Sequence, residues 1–382
     1  LIAKKTILIL CDWFLPGYLA GGPIQSIATL TKHLGNDINF KIITTDRDFK
    51  ADSAYKTIAT NCWTTYDGRS VFYVSPENLN SEFILNIVQN TAHDALYLNS
   101  LFSKQFTINP LKWKKQGKIK SPIILAPRGM FGNSALSVKP VKKKLFFSYA
   151  QLVGLFKNIH WQSTSAQETL DIKKHIGENI QLTEISNLPH SPDLITTIEK
   201  KSGELKLCFI ARILDIKNLA FAIEILKNIT GYPVTYDIYG PKEDLDYWNA
   251  CELKAKELPK NITFSYKGIL QPNDIGKTLS AYHALLLPTQ TENFGHVIVE
   301  TLLQGRPVII SNNTPWRNLE QELVGFDIDL TNQSKFIESI NQLILTDNEL
   351  FQTMHKNCIH YITTKLDIEN TKEKYLALFN QP

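Results

Sequence analysis

The stretch Pro288-Thr-Gln-Thr-Glu-Asn-Phe-Gly-His-Val-Ile-Val-Glu300 follows directly on the apolar run Ala284–Leu287 and leads into Thr301-Leu-Leu-Gln-Gly-Arg-Pro-Val308. An apolar run, a polar loop and then a glycine opening a helical pattern form the strand-to-helix joint of a parallel sheet. Unpaired backbone N–H groups at such a joint face the crevice along the sheet's carboxyl edge. A helix start of this kind binds phosphate. Glu292 lies in the loop and Glu300 about one and a half turns into the helix. At ~1.5 Å per residue the two carboxylates can reach groups on either side of a diphosphate.

Outward from this joint, short β-branched apolar runs alternate with amphipathic stretches, the rhythm of parallel sheets with helical crossovers. Strands are predicted near Thr6–Cys11, Phe40–Thr45, Val71–Val74, Ala95–Leu98, Pro122–Ala126, Ile159–Gln162 and Leu182–Ile185. Asn187-Leu-Pro-His-Ser-Pro-Asp193 and the polar run Glu199-Lys-Lys-Ser-Gly-Glu204 then interrupt the pattern, as a domain junction does. It restarts with Leu205–Ile210, Val234–Tyr239, Ile262–Tyr266, Ala284–Leu287 and Val308–Ile310. The expected fold class is α/β, with two Rossmann-like doubly wound domains facing a central cleft: residues 1–190 and residues 204–360. A C-terminal helix over 366–382 is expected to pack back on the first of them.

Composition narrows the class. A chain of 382 residues accommodates two full cores, and 43% hydrophobic with 20% charged residues describes an ordinary globular protein. The net charge of +4 is too small and too dispersed for a dedicated nucleic-acid binder, so no nucleic-acid partner is expected. The five cysteines, Cys11, Cys62, Cys208, Cys251 and Cys358, are far apart and lack zinc-ligand spacing. No segment approaches the ~20 apolar residues of a membrane span, which leads to the expectation of a cytoplasmic protein.

Phe209-Ile-Ala-Arg-Ile-Leu-Asp-Ile-Lys-Asn218 stands at the end of the first strand of the second half. There Arg212, through its planar fork, and Lys217, as a point charge, can converge on an anionic ligand and stabilise a departing diphosphate. In the first half, Asp12-Trp-Phe-Leu-Pro-Gly-Tyr-Leu-Ala-Gly-Gly-Pro23 joins the first strand to the first helix. Its pair Gly21-Gly22 removes side chains where backbone must approach something closely.

Glu292 and Glu300 are separated by seven intervening residues. With Asn-Phe-Gly after the first and Gly-x-Pro-Val five residues after the second, they resemble the retaining glycosyltransferases of family 4, which have the GT-B fold. The resemblance covers nearly the whole chain in outline and is strongest over residues 205–310. It implies an N-terminal acceptor-binding domain and a C-terminal donor-binding domain. The reaction implied is transfer of a hexose from a UDP- or GDP-sugar to a saccharide or lipid-linked saccharide, in bacterial capsule, O-antigen or exopolysaccharide synthesis.

By the same resemblance Glu292, Arg212 and Lys217 are catalytic. The nucleotide-sugar is then gripped by Gly21, Gly22, Arg212, Lys217, Gly268, Asn293, Phe294, Gly295, His296, Val297 and Glu300. Glu300 would take the ribose hydroxyls and Glu292 those of the transferred sugar. No cofactor and no metal are expected, because Arg212, Lys217 and a helix N-terminus already supply positive potential. Asp327-Ile-Asp329 mimics a metal motif that belongs to a different architecture.

Ala126-Pro-Arg-Gly-Met-Phe-Gly132 departs from the family, many of whose members place a histidine here. Arg128 cannot act as a base; it is counted with the catalytic residues, with an acceptor-side role in binding phosphate or carboxylate, or the donor's phosphates, set against a structural salt bridge. Downstream, residues 139–157 combine Lys139, Lys142, Lys143 and Lys144 with a long apolar helical pattern. Such a segment suits either a core helix or peripheral contact with the inner face of the plasma membrane. Two readings besides a transferase stay open: a sugar-nucleotide epimerase of similar shape, and a non-catalytic nucleotide-sugar-binding subunit.

Overall fold

In the computed structural model, which describes residues 4–137, 139–190 and 195–381, Ile7 and Ile9 turn into one apolar cluster and Leu8 and Leu10 into another. All four are fully buried. Burial on both faces marks a strand inside a parallel sheet covered by helices on either side. Each such side chain contributes ~1.5–3 kcal/mol relative to leaving it in water.

The chain divides into two compact units, Leu1–Leu188 with Ile368–Pro382, and Pro189–Asp367. The strands of the first are β1 (Thr6–Cys11), β2 (Asn39–Thr45), β3 (Trp63–Tyr66), β4 (Arg69–Val74), β5 (Ala95–Asn99), β6 (Ile123–Ala126), β7 (His160–Ser163) and β8 (Gln181–Glu184). They lie in the order β3-β4-β2-β1-β5-β6-β7-β8. All neighbours are parallel except β3 and β4, which are antiparallel. That pair turns through Asp67 and Gly68, both at positive φ, which is the backbone of a tight hairpin. Helix Gly22–Leu34 covers one face with Ile27, Leu30 and Leu34, and helix Ser81–Asn90 covers the other with Ile84 and Val88. The C-terminal helix Ile368–Asn380 adds Tyr375, Leu378 and Phe379 to the first face. There Phe379 meets the Tyr97 ring edge-on at 5.4 Å.

The second unit has β9 (Leu205–Ile210), β10 (Val234–Tyr239), β11 (Ile262–Gly268), β12 (Ala284–Leu287), β13 (Val308–Ser311) and β14 (Gly325–Ile328). All are parallel, in the order β11-β10-β9-β12-β13-β14. The chain winds outward from β9 in one direction and from β12 in the other. The carboxyl ends of these two neighbours therefore form the topological switch point where open α/β sheets bind ligands.

Both sheets are of the expected class. The sequence reading passes over two strands, β3 and β14. The centre of the expected junction, residues 191–194, and the last position of the expected terminal helix, residue 382, lie outside the described residues.

Candidate functional site at the β9–β12 switch point

Where β9 ends, the backbone is zipped to the exit of β10: Ala211 N–H donates to Tyr239 C=O at 3.1 Å and Ile213 N–H to Pro241 C=O at 2.9 Å. Gly240 permits this approach. A Cβ built on it would stand 1.8 Å from the Ala211 carbonyl oxygen, and its φ of +138° already suits only glycine. The strand exit therefore turns sharply and carries Arg212 out of the sheet, where Nη1 donates to Glu243 Oε2 at 2.8 Å. Beside it the Lys242 ammonium stands 4.2 Å from the ring centres of both Trp248 and Tyr266. Neither Lys242 nor Glu243 stands out in the sequence, because what joins them to Arg212 is the β9–β10 pairing.

The same loop is fastened on its other side to the exit of β12. Gln290 N–H and Thr289 Oγ1 both donate to Ile216 C=O, at 2.8 and 3.1 Å, and Asn218 Nδ2 donates to Pro288 C=O at 3.0 Å. These bonds bring Lys217 to Glu292, and the ammonium donates to Glu292 Oε1. Both side chains are mostly buried, at 16% and 14% exposure. An ion pair this far out of water is held by geometry, and removing one partner leaves the other uncompensated.

Past Glu292, Gly295 adopts a left-handed φ of +76° and caps helix His296–Leu303. A Cβ there would meet Ile298 Cδ1 at 2.9 Å. The first amides bonded back into the helix are those of Ile298 and Val299, both to Gly295 C=O, so the N–H groups of His296 and Val297 precede the helical ladder. Asn293 precedes this turn. The Phe294 ring is buried, 5.7 Å from Trp316 and 4.8 Å from His296, while its carbonyl accepts from Trp316 Nε1 at 2.7 Å. Phe294 thus offers backbone rather than an aromatic face, and Trp316, unassigned in the sequence, anchors the turn.

Glu300 stands apart from these groups. Burial pushes its carboxyl up to about 8. It lines a hollow of about 360 Å³ with Gln304, Lys277, Asn273, Thr196 and His190, and Arg212, Lys217 and Glu292 are not among that hollow's walls. Gly268, at φ +96° with open space where a Cβ would be, closes β11, and its carbonyl accepts from Gly240 N–H at 2.9 Å. The structure thus joins Lys217 to Glu292, gives Arg212 a carboxylate of its own, and sets Glu300 farther along the helix that Gly295 begins.

The remaining expected residues lie in the first unit. Gly21, at φ +70°, donates to Tyr18 C=O at 3.0 Å, and Gly22 begins helix Gly22–Leu34. Their loop is tied down by a residue that sequence reasoning misses. The buried Asp48 carboxylate accepts from Tyr18 N at 2.8 Å, Leu19 N at 3.1 Å and Phe49 N at 2.7 Å.

Arg128 makes its contacts within the first unit. Its guanidinium donates to Asn99 Oδ1 at 2.8 Å, Tyr97 Oη at 2.8 Å and Asn187 Oδ1 at 2.6 Å. These three acceptors are neutral and belong to the first unit, and the Glu168 carboxylate also acts on the guanidinium. The backbone at Arg128 is left-handed, with φ +57°.

Asp327 accepts from Leu319 N–H at 2.9 Å, and Asp329 from Thr331 N–H at 2.9 Å, so both serve local turns. Among the described residues no group of three or more His, Cys, Asp or Glu is placed to hold a metal ion, and no helix is long and apolar enough to cross a membrane.

Residues 192–361 match the family model described as glycosyl transferases group 1. Among solved structures the chain is similar to HepE of Anabaena in complex with UDP and glucose, with a TM-score of 0.72, 17% identity, and 98% of this chain and 99% of that one covered. It is likewise similar to sucrose-phosphate synthase of Thermosynechococcus elongatus (TM-score 0.74, 15% identity, 99% of each chain). A third similar structure is WaaG, a glycosyltransferase involved in lipopolysaccharide biosynthesis (TM-score 0.66, 14% identity, 98% of this chain and 100% of that one). These likenesses, at low identity over full length, establish the GT-B fold. No curated protein matches the chain by sequence.

Proposed function

We propose, for a chain whose residues 192–361 match the family model of the glycosyl transferases group 1, retaining transfer of a hexose from a nucleotide-diphosphate sugar onto a hydroxyl of a saccharide or lipid-linked saccharide. The observation that carries this reading is the convergence at the β9–β12 switch point. Lys217, paired with Glu292, and Arg212 stand at adjoining strand exits, beside the helix that opens at Gly295.

Glycosyl transfer needs negative charge stabilised on the departing diphosphate while positive charge grows at the anomeric carbon. Arg212, Lys217 and the amides of His296 and Val297 meet the first need without a metal ion. Glu292, oriented by Lys217, accepts hydrogen bonds from hydroxyls of the transferred sugar, and Glu300 accepts from the ribose. The departing phosphate takes the proton of the attacking hydroxyl on the face it leaves, which retains the anomeric configuration. The similarity to HepE, crystallised with UDP and glucose, favours a UDP-sugar. The similarity to WaaG, a glycosyltransferase involved in lipopolysaccharide biosynthesis, favours a bacterial surface polysaccharide as the product.

The test is a donor panel of UDP-, GDP- and ADP-hexoses, first by thermal shift and then by product analysis with saccharide acceptors, with and without EDTA. The expected outcome is stabilisation by one nucleotide class and EDTA-insensitive release of that nucleoside diphosphate, with the anomeric configuration of the donor kept in the product. Consumption of the donor without an acceptor, yielding an epimerised sugar, would assign an epimerase instead. Stabilisation without turnover across the panel would assign a binding subunit.

A further inference from the structure

Helix Pro140–Leu152 is apolar on two opposite faces. Its inward face places Phe146, Phe147 and Ala150 against the core of the first unit, where Phe147 stacks on Phe131 at 5.5 Å and Phe146 meets Phe102 edge-on at 5.8 Å. A helix needs one such face to dock. This one has a second, formed by Val141, Leu145, Tyr149 and Leu152, which are 70%, 65%, 46% and 87% exposed. At 100° per residue these four side chains fall within a stripe about 80° wide. On either side of that stripe stand Lys142 and Lys144, both exposed, and Lys139 precedes the helix. Lys112 reaches over the Tyr149 ring at 5.9 Å. No Asp or Glu occurs from 139 to 157.

We propose that this outer face is a docking surface for an anionic lipid bilayer, with Val141, Leu145, Tyr149 and Leu152 entering the headgroup–acyl boundary and Lys142 and Lys144 bound to lipid phosphates. The inference goes beyond the transfer reading and stands without it. Three features select lipid over a protein partner. The apolar stripe is one helix wide and flanked on both sides by cations, which suits a helix lying in the plane of a membrane interface. The charge is of one sign, complementary to acidic headgroups and not to a second copy of the same basic face. The exposed residues are long aliphatics and one tyrosine, whose phenol sits at the boundary with its hydroxyl in water.

The test is flotation of the purified full chain with vesicles of phosphatidylcholine alone and of phosphatidylcholine with about one-third phosphatidylglycerol, at low and high salt. The protein is expected to float with the acidic vesicles at low salt, at least tenfold more than with the neutral ones, and less at high salt. Leu145→Glu with Leu152→Glu removes binding to acidic vesicles. Lys142→Glu with Lys144→Glu also removes it. All four positions face solvent, so an unchanged circular dichroism melt accompanies both variants. No flotation of the native chain with acidic vesicles, or equal flotation of the Leu145→Glu/Leu152→Glu variant, overturns the proposal. A native dimer that this variant converts to monomer, without lipid binding, assigns the face to self-association and overturns it equally.

Discussion

Arg212 Nη1 lies 2.8 Å from Glu243 Oε2, so the guanidinium at the exit of β9 is already held by a carboxylate from the exit of β10. An anionic ligand arriving there meets an oriented fork with further donors to give. Only a planar group can hold Glu243 and a phosphate together. Arg212→Ala is expected to lower kcat by ~10²–10³-fold, the range for removing a preorganised donor to a developing anion. Arg212→Lys should recover little of it, and Glu243→Ala should lower kcat/KM by about tenfold through loss of orientation. Steady-state kinetics with the identified donor reads all three, and full activity of Arg212→Lys would contradict the role of the fork.

Lys217 and Glu292 act as a unit. Each is largely buried and each is the other's partner, so removing either leaves a desolvated charge behind. Lys217→Ala and Glu292→Ala are each expected to cost ~10²-fold in kcat/KM. The double variant should be little worse than either single one, because coupled sites are not additive. A double-mutant cycle measures this. Strict additivity would mean that the two side chains serve separate steps.

Much of this was legible in the sequence, and what was not has a common cause. Runs such as Thr6–Cys11 and Ala284–Leu287 announce themselves because strands buried on both faces must be apolar throughout. The turn at Gly295 is local for the same reason: backbone sterics act within a few residues. Strand β3 escapes because Trp63-Thr-Thr-Tyr66 is partly exposed along its length, although the Asp67-Gly68 turn behind it is a readable hairpin signal. Glu243, Asp48 and the acceptors of Arg128 escape differently. Each meets its partner only after strands distant in the chain pair, so no local pattern could assign it.

Asp48 holds the Gly21-Gly22 loop through three backbone N–H groups. Removing that acceptor strands several donors, each costing ~1–3 kcal/mol when unsatisfied and buried. Asp48→Ala should therefore destabilise the chain by about 2–3 kcal/mol in urea unfolding, while Asp48→Asn, which keeps one acceptor oxygen, should lose less. Equal stability of both variants and the native chain would show that water replaces the carboxylate at no cost.

Gly240 and Gly268 both sit at positive φ at the ends of adjoining strands, yet they should respond differently to a methyl group. At Gly268 a Cβ finds open space, and Gly268→Ala carries only the strain of its backbone, ~1–2 kcal/mol. At Gly240 the same atom would stand 1.8 Å from the Ala211 carbonyl oxygen, so the exit of β9 must move and take Arg212 with it. Gly240→Ala should lose both stability and kcat, and Gly268→Ala mostly stability. Matching losses of activity at equal stability would mean that the β9 exit does not position Arg212.

Burial pushes the Glu300 carboxyl up to about 8, far above the ordinary carboxylate range. The folded chain therefore keeps a proton that an unfolded chain releases near pH 4, and its stability falls as pH rises from there through about 8. The melting temperature of the ligand-free protein should decline between pH 5 and 8 more steeply than that of Glu300→Gln, which cannot ionise. A ribose donating its hydroxyls favours the carboxylate, so nucleotide binding at pH 7 should release a proton. Calorimetric titration with UDP in two buffers of different ionisation enthalpy should then give different apparent heats, and Glu300→Gln should give the same heat in both. Buffer-independent heats for the native chain would place the ribose away from Glu300.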